Sequence, residues 1–592
     1  MASPDQKPVP IQLAPGLKRQ STQLAAEGSW YDSDKVRFRT NKPESFRGWS
    51  VKSSQFIGTA RDLITWQDLD FNPLAGFGTE CKLYVYKGGT VADVTPVFTS
   101  ATVSITTSAN DPIILVSGAN GGIAAGDYVV FTSTNVGTFV LSGEYQAVSV
   151  PSNQFVLVSS PTAPTSSETG ATTADFLLPC GASSGQFVQG YGTGTYGSGT
   201  YGTGNGGVYF QEPRIWTLDT WGEDLIGAPR AGRLYRWSAD NGISERAFVV
   251  SAAPSVINAV IVSQQDRHAF ALGATEELTG EFNPLLIRWC SQENLDDWAT
   301  SATNTAGSKE VKGGTQLMGG INTRNGLVAL TDNAAHFVTY IGPPFTFGVT
   351  ELGQGIGLIA PNAGVDLDGV AYWMSRNGWY SYDGQVRPLP DDIQRDVFDN
   401  INENQRLKIV AGTNYEQAEV IWLYPSASSQ EIDRYALYNT LTKAWTWGTF
   451  DWTAWVDRGV FDNILVAKAS DSRLYDHEVP NYWQANGSPM NSWIESGAVD
   501  LEAGGKLMYT DRMIPDMQFT STTGFVDVYL RFYKYPQGSA VVKGPYRIDG
   551  TTKYVSPRGR GRQVAVIVAC STGEAGWELG VPRLYVKEDG FQ

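Results

Sequence analysis

The feature that most constrains this chain is a recurring strand pair. A short apolar run, a turn rich in Gly, Asp or Asn, and an aromatic strand follow one another repeatedly. The aromatic strands read LYVY from Leu83, LYRW from Leu234, LIRW from Leu286, FVTY from Phe337, WYSY from Trp379, YALY from Tyr435 and RLYD from Arg473. From Leu234 onward their starts lie 38 to 56 residues apart, close to the length of one four-stranded propeller blade, about 40 to 50 residues. Aromatic residues make up 12% of the 592 positions and charged residues only 18%, with 64 Gly and 29 Pro. Turn formers and strand formers outweigh helix-favouring charge, which points to an all-β protein.

The first interval is different, because 151 residues separate Leu83 from Leu234. An insertion of roughly 100 residues into the array accounts for it. No Lys or Arg occurs between Gly88 and Pro213, and alternating segments such as DYVVFTS from Asp127 read as strands of a small β-sandwich-like domain. A low-complexity run, GYGTGTYGSGTYGTG from Gly190, reads as a connector. Beyond about Asn486 the strands lengthen, as in VDVYLRFYKYP from Val526 and RQVAVIVAC from Arg562. The expected fold is therefore a β-propeller core with an inserted small β-domain and a C-terminal β-sandwich domain. Its divisions are 1–92 for an N-terminal arm and first propeller strands, 93–180 for the insertion, 181–207 for the linker, 208–485 for the main propeller and 486–592 for the sandwich. One helix is expected over Asp391–Lys408, where Ile393, Val397, Phe398 and Ile401 share a face and Asp391 or Asp392 can cap. The segment before Gly28 reads as an arm over a neighbouring subunit or a disordered tail.

Charge narrows the function. The chain carries 44 Lys and Arg against 60 Asp and Glu, a net −16, which disfavours a protein that grips nucleic acid along a broad basic face. No secretory signal or membrane-spanning run is evident, so a soluble protein made in the cytoplasm is expected. Cys81, Cys180, Cys290 and Cys570 form no metal-binding spacing and read as buried reduced thiols.

Motifs of catalytic chemistry lack their context. The G-x-G-x-x-G matches at Gly192, Gly194, Gly197, Gly199 and Gly202 lie in the Tyr-Gly run, without the strand and helix that a phosphate cradle needs. Gly181-Ala182-Ser183-Ser184-Gly185 has nucleophile-elbow spacing but no following helix. His268, His336 and His477 are scattered and read as hydrogen-bonded hairpin residues. Asp366-Leu367-Asp368-Gly369 reads as a turn, because the remaining calcium ligands are missing. No catalytic, cofactor or metal residue is expected. Two arginine clusters do stand out. Strand alternation in Val36-Arg37-Phe38-Arg39 places both guanidinium groups on one face, and the same period aligns Arg558, Arg560 and Arg562 between glycines. Arginine suits bidentate carboxylate pairing, so these five are expected to contact acids in the same chain or in a neighbouring subunit.

Several long segments resemble one family. GSWYDSDKVRFRTNKPESFRGW from Gly28, LIRWCSQENLDDW from Leu286, FTFGVTELGQGIGLIAPNAGVDLDGVAYWMSRNGWYSYDGQVRPLP from Phe345, IDRYALYNTLTKAWTWG from Ile432 and PRGRGRQ from Pro557 look like the tail nozzle proteins, or tail tubular proteins B, of short-tailed bacteriophages. The resemblance spans most of the chain outside the insertion and rests on scaffold segments. It implies a non-enzymatic virion protein of the viral tail, assembled in the host cytoplasm as a ring of six copies. Its partners would be a tail adaptor protein, tail fibres or tailspikes and the host outer surface, with double-stranded DNA passing through the lumen without sequence-specific binding. The ring would retain packaged DNA and conduct it during ejection, with Arg37, Arg39, Arg558, Arg560 and Arg562 as candidate subunit contacts. The alternative is a phage receptor-binding or glycan-degrading β-propeller, in which aromatic blade tips stack on sugars and a carboxylate pair hydrolyses them.

Overall fold

The computed structural model describes all residues except 1–6, 20–21, 24–25, 120, 137–138, 151–153, 159–166, 190–207, 502–504, 536–537, 574 and 591–592. The Tyr-Gly run and its glycine motifs lie outside the described residues. The chain divides into two compact units, one of Met1–Lys52, Ile321–Phe337 and Thr350–Gln592, the other of Ser53–Gly320 and Val338–Val349.

Among the described residues seven four-stranded sheets of blade type follow the repeat. Each aromatic motif falls in a third strand: Leu83–Lys87, Tyr235–Trp237, Phe282–Trp289, Ala334–Gly342, Gly378–Tyr382, Arg434–Asn439 and Arg473–Val479. The fold is a β-propeller core, and within each unit the first strands of adjacent blades touch. Trp216–Trp221 lies beside Asp62–Gln67 and Ile257–Ser263, and Val410–Asn414 lies beside Gly364–Leu367 and Trp452–Val456.

Tryptophans latch neighbouring blades. The indole of Trp216 donates to Thr79 O at 2.7 Å, that of Trp422 to Ala363 O at 3.1 Å, and that of Trp455 to Thr413 O at 2.8 Å. Each acceptor belongs to the preceding blade, so one side chain fills the inter-blade space and satisfies a backbone carbonyl. Glycine makes room for two of them. A Cβ on Gly78 would lie 2.3 Å from Trp216, and one on Gly412 would lie 2.1 Å from Trp455. Carboxylates form a second latch, with Asp62 accepting from Leu218 N and Asp219 from Val262 N, both at 2.7 Å. Burial pushes Asp62 up to about 7 and Asp219 to about 6, against the pull of these amide bonds.

The insertion is a single six-stranded antiparallel sheet over Val97–Leu177. It is not a two-sheet sandwich. Its outermost strands, Phe139–Gln146 and Gln154–Val158, approach each other, and the sheet curls around Ile105, Val116, Phe131, Phe155 and Phe176. Its root is held by charge. Buried Lys82 meets Asp93 at 3.2 Å and Glu144 at 2.7 Å, and Arg246 reaches the same two carboxylates. Against the effect of burial, Lys82 and Arg246 hold Asp93 down at about 2.

A covalent tie lies beside this root. Cys81, in a turn of the first blade, and Cys180, three residues past the insertion's last strand, form a disulfide with Cα atoms 4.1 Å apart. The expectation of four reduced thiols is thus corrected for this pair. Gly181 N donates to Glu80 O at 2.7 Å, so the insertion returns the chain alongside its point of departure. Cys290 and Cys570 are free and buried.

The C-terminal sandwich is completed by the other end of the chain. Lys7–Pro10 pairs antiparallel with Arg583–Glu588, and Ser29–Asp34 pairs with Ser492–Ser496. The N-terminal strands therefore cover edges that 486–592 alone would leave open, where unpaired backbone groups invite aggregation. For the described residues this corrects the reading of a disordered tail, and the strands of the segment pair within their own chain and not as an arm over a neighbouring subunit. Val36–Arg39 and Lys42–Ser45 join Trp577–Leu579 and Met517–Phe519 in a small third sheet. Gly48–Val51 then becomes the fourth strand of the last blade, against Arg473–Val479.

The expected helix over Asp391–Lys408 is broken into an α-helical turn, Gln394–Phe398, and a 3₁₀ stretch, Glu403–Lys408. Ile393, Val397 and Ile401 are buried as their spacing requires. Between the turns, however, Ala427 N donates to Asn400 O and Asn402 N to Pro425 O, which diverts the backbone groups a continuous helix would use. Among the described residues no helix is long and apolar enough to cross a membrane.

Candidate functional site

Arg37 and Arg39 stand at one cavity. Arg37 is only 3% exposed: the regular pairing with Lys42–Ser45 keeps it on the face opposite Val36 and Phe38, and that face is covered as well. Its fork is held by Glu478 at 2.8 and 3.1 Å, its Nε lies 3.1 Å from Glu419, and its Cζ sits 4.2 Å from the ring centre of Phe46. One cation thus faces two carboxylates that lie in the sixth and seventh blades. Burial works against the Arg37 charge, but Glu419 and then Glu478 outweigh it and raise its pKa. Burial pushes Glu419 up to about 8 despite Arg37.

His477 lies next to this triad, buried among Phe46, Trp49, Phe450, Trp452 and Trp455. Its ring nitrogens make no hydrogen bond, and burial lowers its pKa to about 4. The expectation of a hydrogen-bonded hairpin histidine holds for His268, whose ring meets Asp266 O and Thr305 Oγ1, but fails for His477.

The cavity beside the triad has a volume of about 220 Å³ and is lined in part by Arg39, Glu44, Arg47, Glu416, Arg458 and Glu578. Burial raises the pKa of Glu44 against the attraction of Arg37 and Arg39. Such a carboxyl is raw material for acid catalysis, yet the other acids are answered by cations. Glu578 accepts from Lys42 at 2.6 Å, Glu416 bonds Arg458, and Glu478 holds Arg37. This arrangement clamps strands together more readily than it moves protons. Among the described residues no group of three or more His, Cys, Asp or Glu could hold a metal ion.

Arg558, Arg560 and Arg562 lie on a different sheet from this cavity. Arg560 is exposed and pairs with Asp589 at 2.7 Å. Arg562 lies over the ring of Tyr535, with its Cζ 4.9 Å from the ring centre. Arg558 is exposed, with no ion-pair partner among the described residues. The glycines between them permit close approach, since a Cβ on Gly559 would lie 2.0 Å from the Phe532 ring. As candidate subunit contacts the five separate. Arg37 is buried against its own chain, Arg560 binds Asp589 and Arg562 lies on Tyr535 of its own chain, and Arg39 and Arg558 are exposed. Asp366 and Asp368 occupy the expected turn, with Asp368 at φ 56° and paired to Arg324 at 2.6 Å.

Asp62 and Glu419 give a testable pH dependence. Their folded pKa values lie above those of an unfolded chain, near 4, so the native state binds more protons and loses stability as pH rises through about 7 and 8. Between pH 6.5 and 8 the loss from these two carboxyls is about 2 kcal/mol, offset in part by His268 and His477, whose pKa values burial lowers. Urea unfolding at the two pH values measures it. Asp62→Asn should keep the acceptor for Leu218 N while removing part of the slope; a stability that rises over this interval contradicts the assignment.

No protein-family model and no curated protein sequence matches this chain. Solved structures are similar only distantly. Apo AztD from Citrobacter koseri is 10% identical, covering 60% of this chain and 96% of its own, with a TM-score of 0.22. The β-propeller domain of Cps50 (Swd1) from Myceliophteria thermophila is 6% identical, covering 73% and 99%, with a TM-score of 0.27. A variant of the Synechocystis apocarotenoid oxygenase is 8% identical, covering 63% and 85%, with a TM-score of 0.28.

Proposed function

We propose that this chain is a structural virion protein of the tail nozzle type, assembled as a ring that retains packaged DNA and conducts it during ejection. The observation that carries the reading is the placement of the longest N-terminal segment of the resemblance. Within Gly28–Trp49, consecutive strands join the terminal sandwich, the small third sheet and the last blade. A stretch that stitches three sheets together is what a subunit under mechanical load requires. Of the four carboxylates lining the 220 Å³ cavity, Glu416, Glu478 and Glu578 are engaged by Arg458, Arg37 and Lys42, which supports a clamping role over a glycan-hydrolysing pair of two carboxyls. Ring contacts in such an assembly are heterologous, so one exposed face of each copy meets a different face of the next. Particles assembled without this chain are expected to lose their DNA after packaging.

A further inference from the structure

The ion cluster at the root of the insertion brings an amine, a carboxylate and a second carboxyl into reacting range. Lys82 directly precedes the third strand of the first blade, and Asp93 ends the fourth, Thr90–Asp93. Lys82 is only 1% exposed. Its Nζ donates to Asp93 Oδ2 at 3.2 Å, lies 2.7 Å from Glu144 Oε1 and sits 4.0 Å from the ring centre of Tyr128. Glu144 and Tyr128 belong to strands of the insertion, Phe139–Gln146 and Tyr128–Val136, so the cluster is complete only when that sheet has docked on the blade. Thr95 donates from both N and Oγ1 to the other oxygen of Asp93, which fixes the carboxylate beside the amine. The two carboxyls also share a hydrogen bond, and such a bond needs a proton on one of them. Glu144 is the one that holds it. Burial raises the Glu144 pKa against the pull of Lys82, and the bond to Asp93 raises it further.

We propose that Lys82 and Asp93 condense into an intramolecular isopeptide bond, with Glu144 carrying the protons. The inference goes beyond the ring reading and does not depend on it. Glu144 first takes a proton from the ammonium, which frees the lone pair of Nζ without changing the charge of the cluster. Nζ attacks Asp93 Cγ while Glu144 returns that proton to an Asp93 oxygen. Glu144 then removes a proton from the new N–C centre and passes it to the same oxygen, which leaves as water. One N–C bond forms, one C–O bond breaks and nothing is oxidised or reduced. Burial favours the first step because it penalises a charged amine. Proximity stands in for an activating co-reactant, since groups held about 3–3.5 Å apart reach effective molarities of about 10⁵–10⁸ M. The water has an exit, because 24% of the Asp93 side chain and 26% of that of Glu144 stay exposed. The product also stays neutral. One cation and one anion vanish together, and Arg246, 3.4 Å from Glu144, remains as its counter-ion. The cluster of Arg37, Glu419 and Glu478 cannot react in this way, because a guanidinium keeps its proton.

The test is mass spectrometry of the folded full chain after reduction of its disulfide. Once the substitution is allowed for, the parent should be lighter than Lys82→Arg by one water. Trypsin cuts after Lys87, between the two residues, so Lys82 and Asp93 should lie on two peptides that stay joined under reducing conditions. Glu144→Gln keeps the shape of the side chain but cannot carry a proton, and it should slow the joining by about a hundredfold or more. A parent with its full mass overturns the proposal, as does a lost water without joined peptides, which would place the dehydration elsewhere. Joining in Glu144→Gln at the parent rate overturns it equally. The parent's peptide map decides the matter even where a variant fails to fold, and no result here bears on whether particles lacking the chain keep their genome.

Discussion

Arg37→Met should lower the free energy of unfolding by about 3–5 kcal/mol, the range for removing one partner of a buried ion pair. The methionine fills much of the space, so the loss is electrostatic. Glu478 would keep two oxygens with no cation at 2.8 and 3.1 Å, and Glu419 would lose the guanidinium 3.1 Å away. Glu419, already raised by burial, would then be driven further toward protonation in the folded state, which adds to the fall in stability between pH 6.5 and 8. Arg37→Lys keeps the charge but not the planar fork and should recover only part of the loss. Urea unfolding followed by tryptophan fluorescence reads both, because Trp49, Trp452 and Trp455 surround the adjacent His477. A cost below about 1 kcal/mol, the scale of a surface pair, would mean that the triad does not hold the seam.

Opening the Cys81–Cys180 disulfide should cost at least as much. The two residues are 99 apart in sequence, and closing a loop of that size restricts the unfolded chain by about 4–5 kcal/mol in the chain-entropy account. Reduction, or Cys180→Ala, should shift the urea midpoint downward and expose the root of the insertion to proteolysis near residues 80 and 180. The ion cluster of Lys82, Arg246, Asp93 and Glu144 remains after reduction, so the insertion itself should stay folded. Its core of Ile105, Val116, Phe131, Phe155 and Phe176 is independent of the bond. Identical midpoints for oxidised and reduced protein would contradict this role.

The seven blades were legible because each repeats a local signal. An aromatic third strand needs only its own hairpin and a neighbouring blade, and both lie nearby in sequence. What the sequence did not disclose depends on distant partners. Strand alternation can place Arg37 opposite Val36 and Phe38, but not across from Glu478, 441 residues away. The same holds for Lys7 opposite Val586 and for Gly48–Val51 closing the last blade. Cys81 and Cys180 gave no spacing signal, because their approach is set by where a whole inserted sheet returns. The helical periodicity of Ile393, Val397 and Ile401 was real as a burial pattern, and it failed as a helix where residues 400–402 bond to 425–427. Net charge says nothing of placement, since within a total of −16 positions 506–592 carry twelve Lys and Arg against eight Asp and Glu.

The nozzle reading is tested most directly by the DNA content of particles assembled in the absence of this chain. Heads should fill and then empty, leaving particles that contain protein but little or no genome. Particles that lack the chain and still retain a full genome would contradict it.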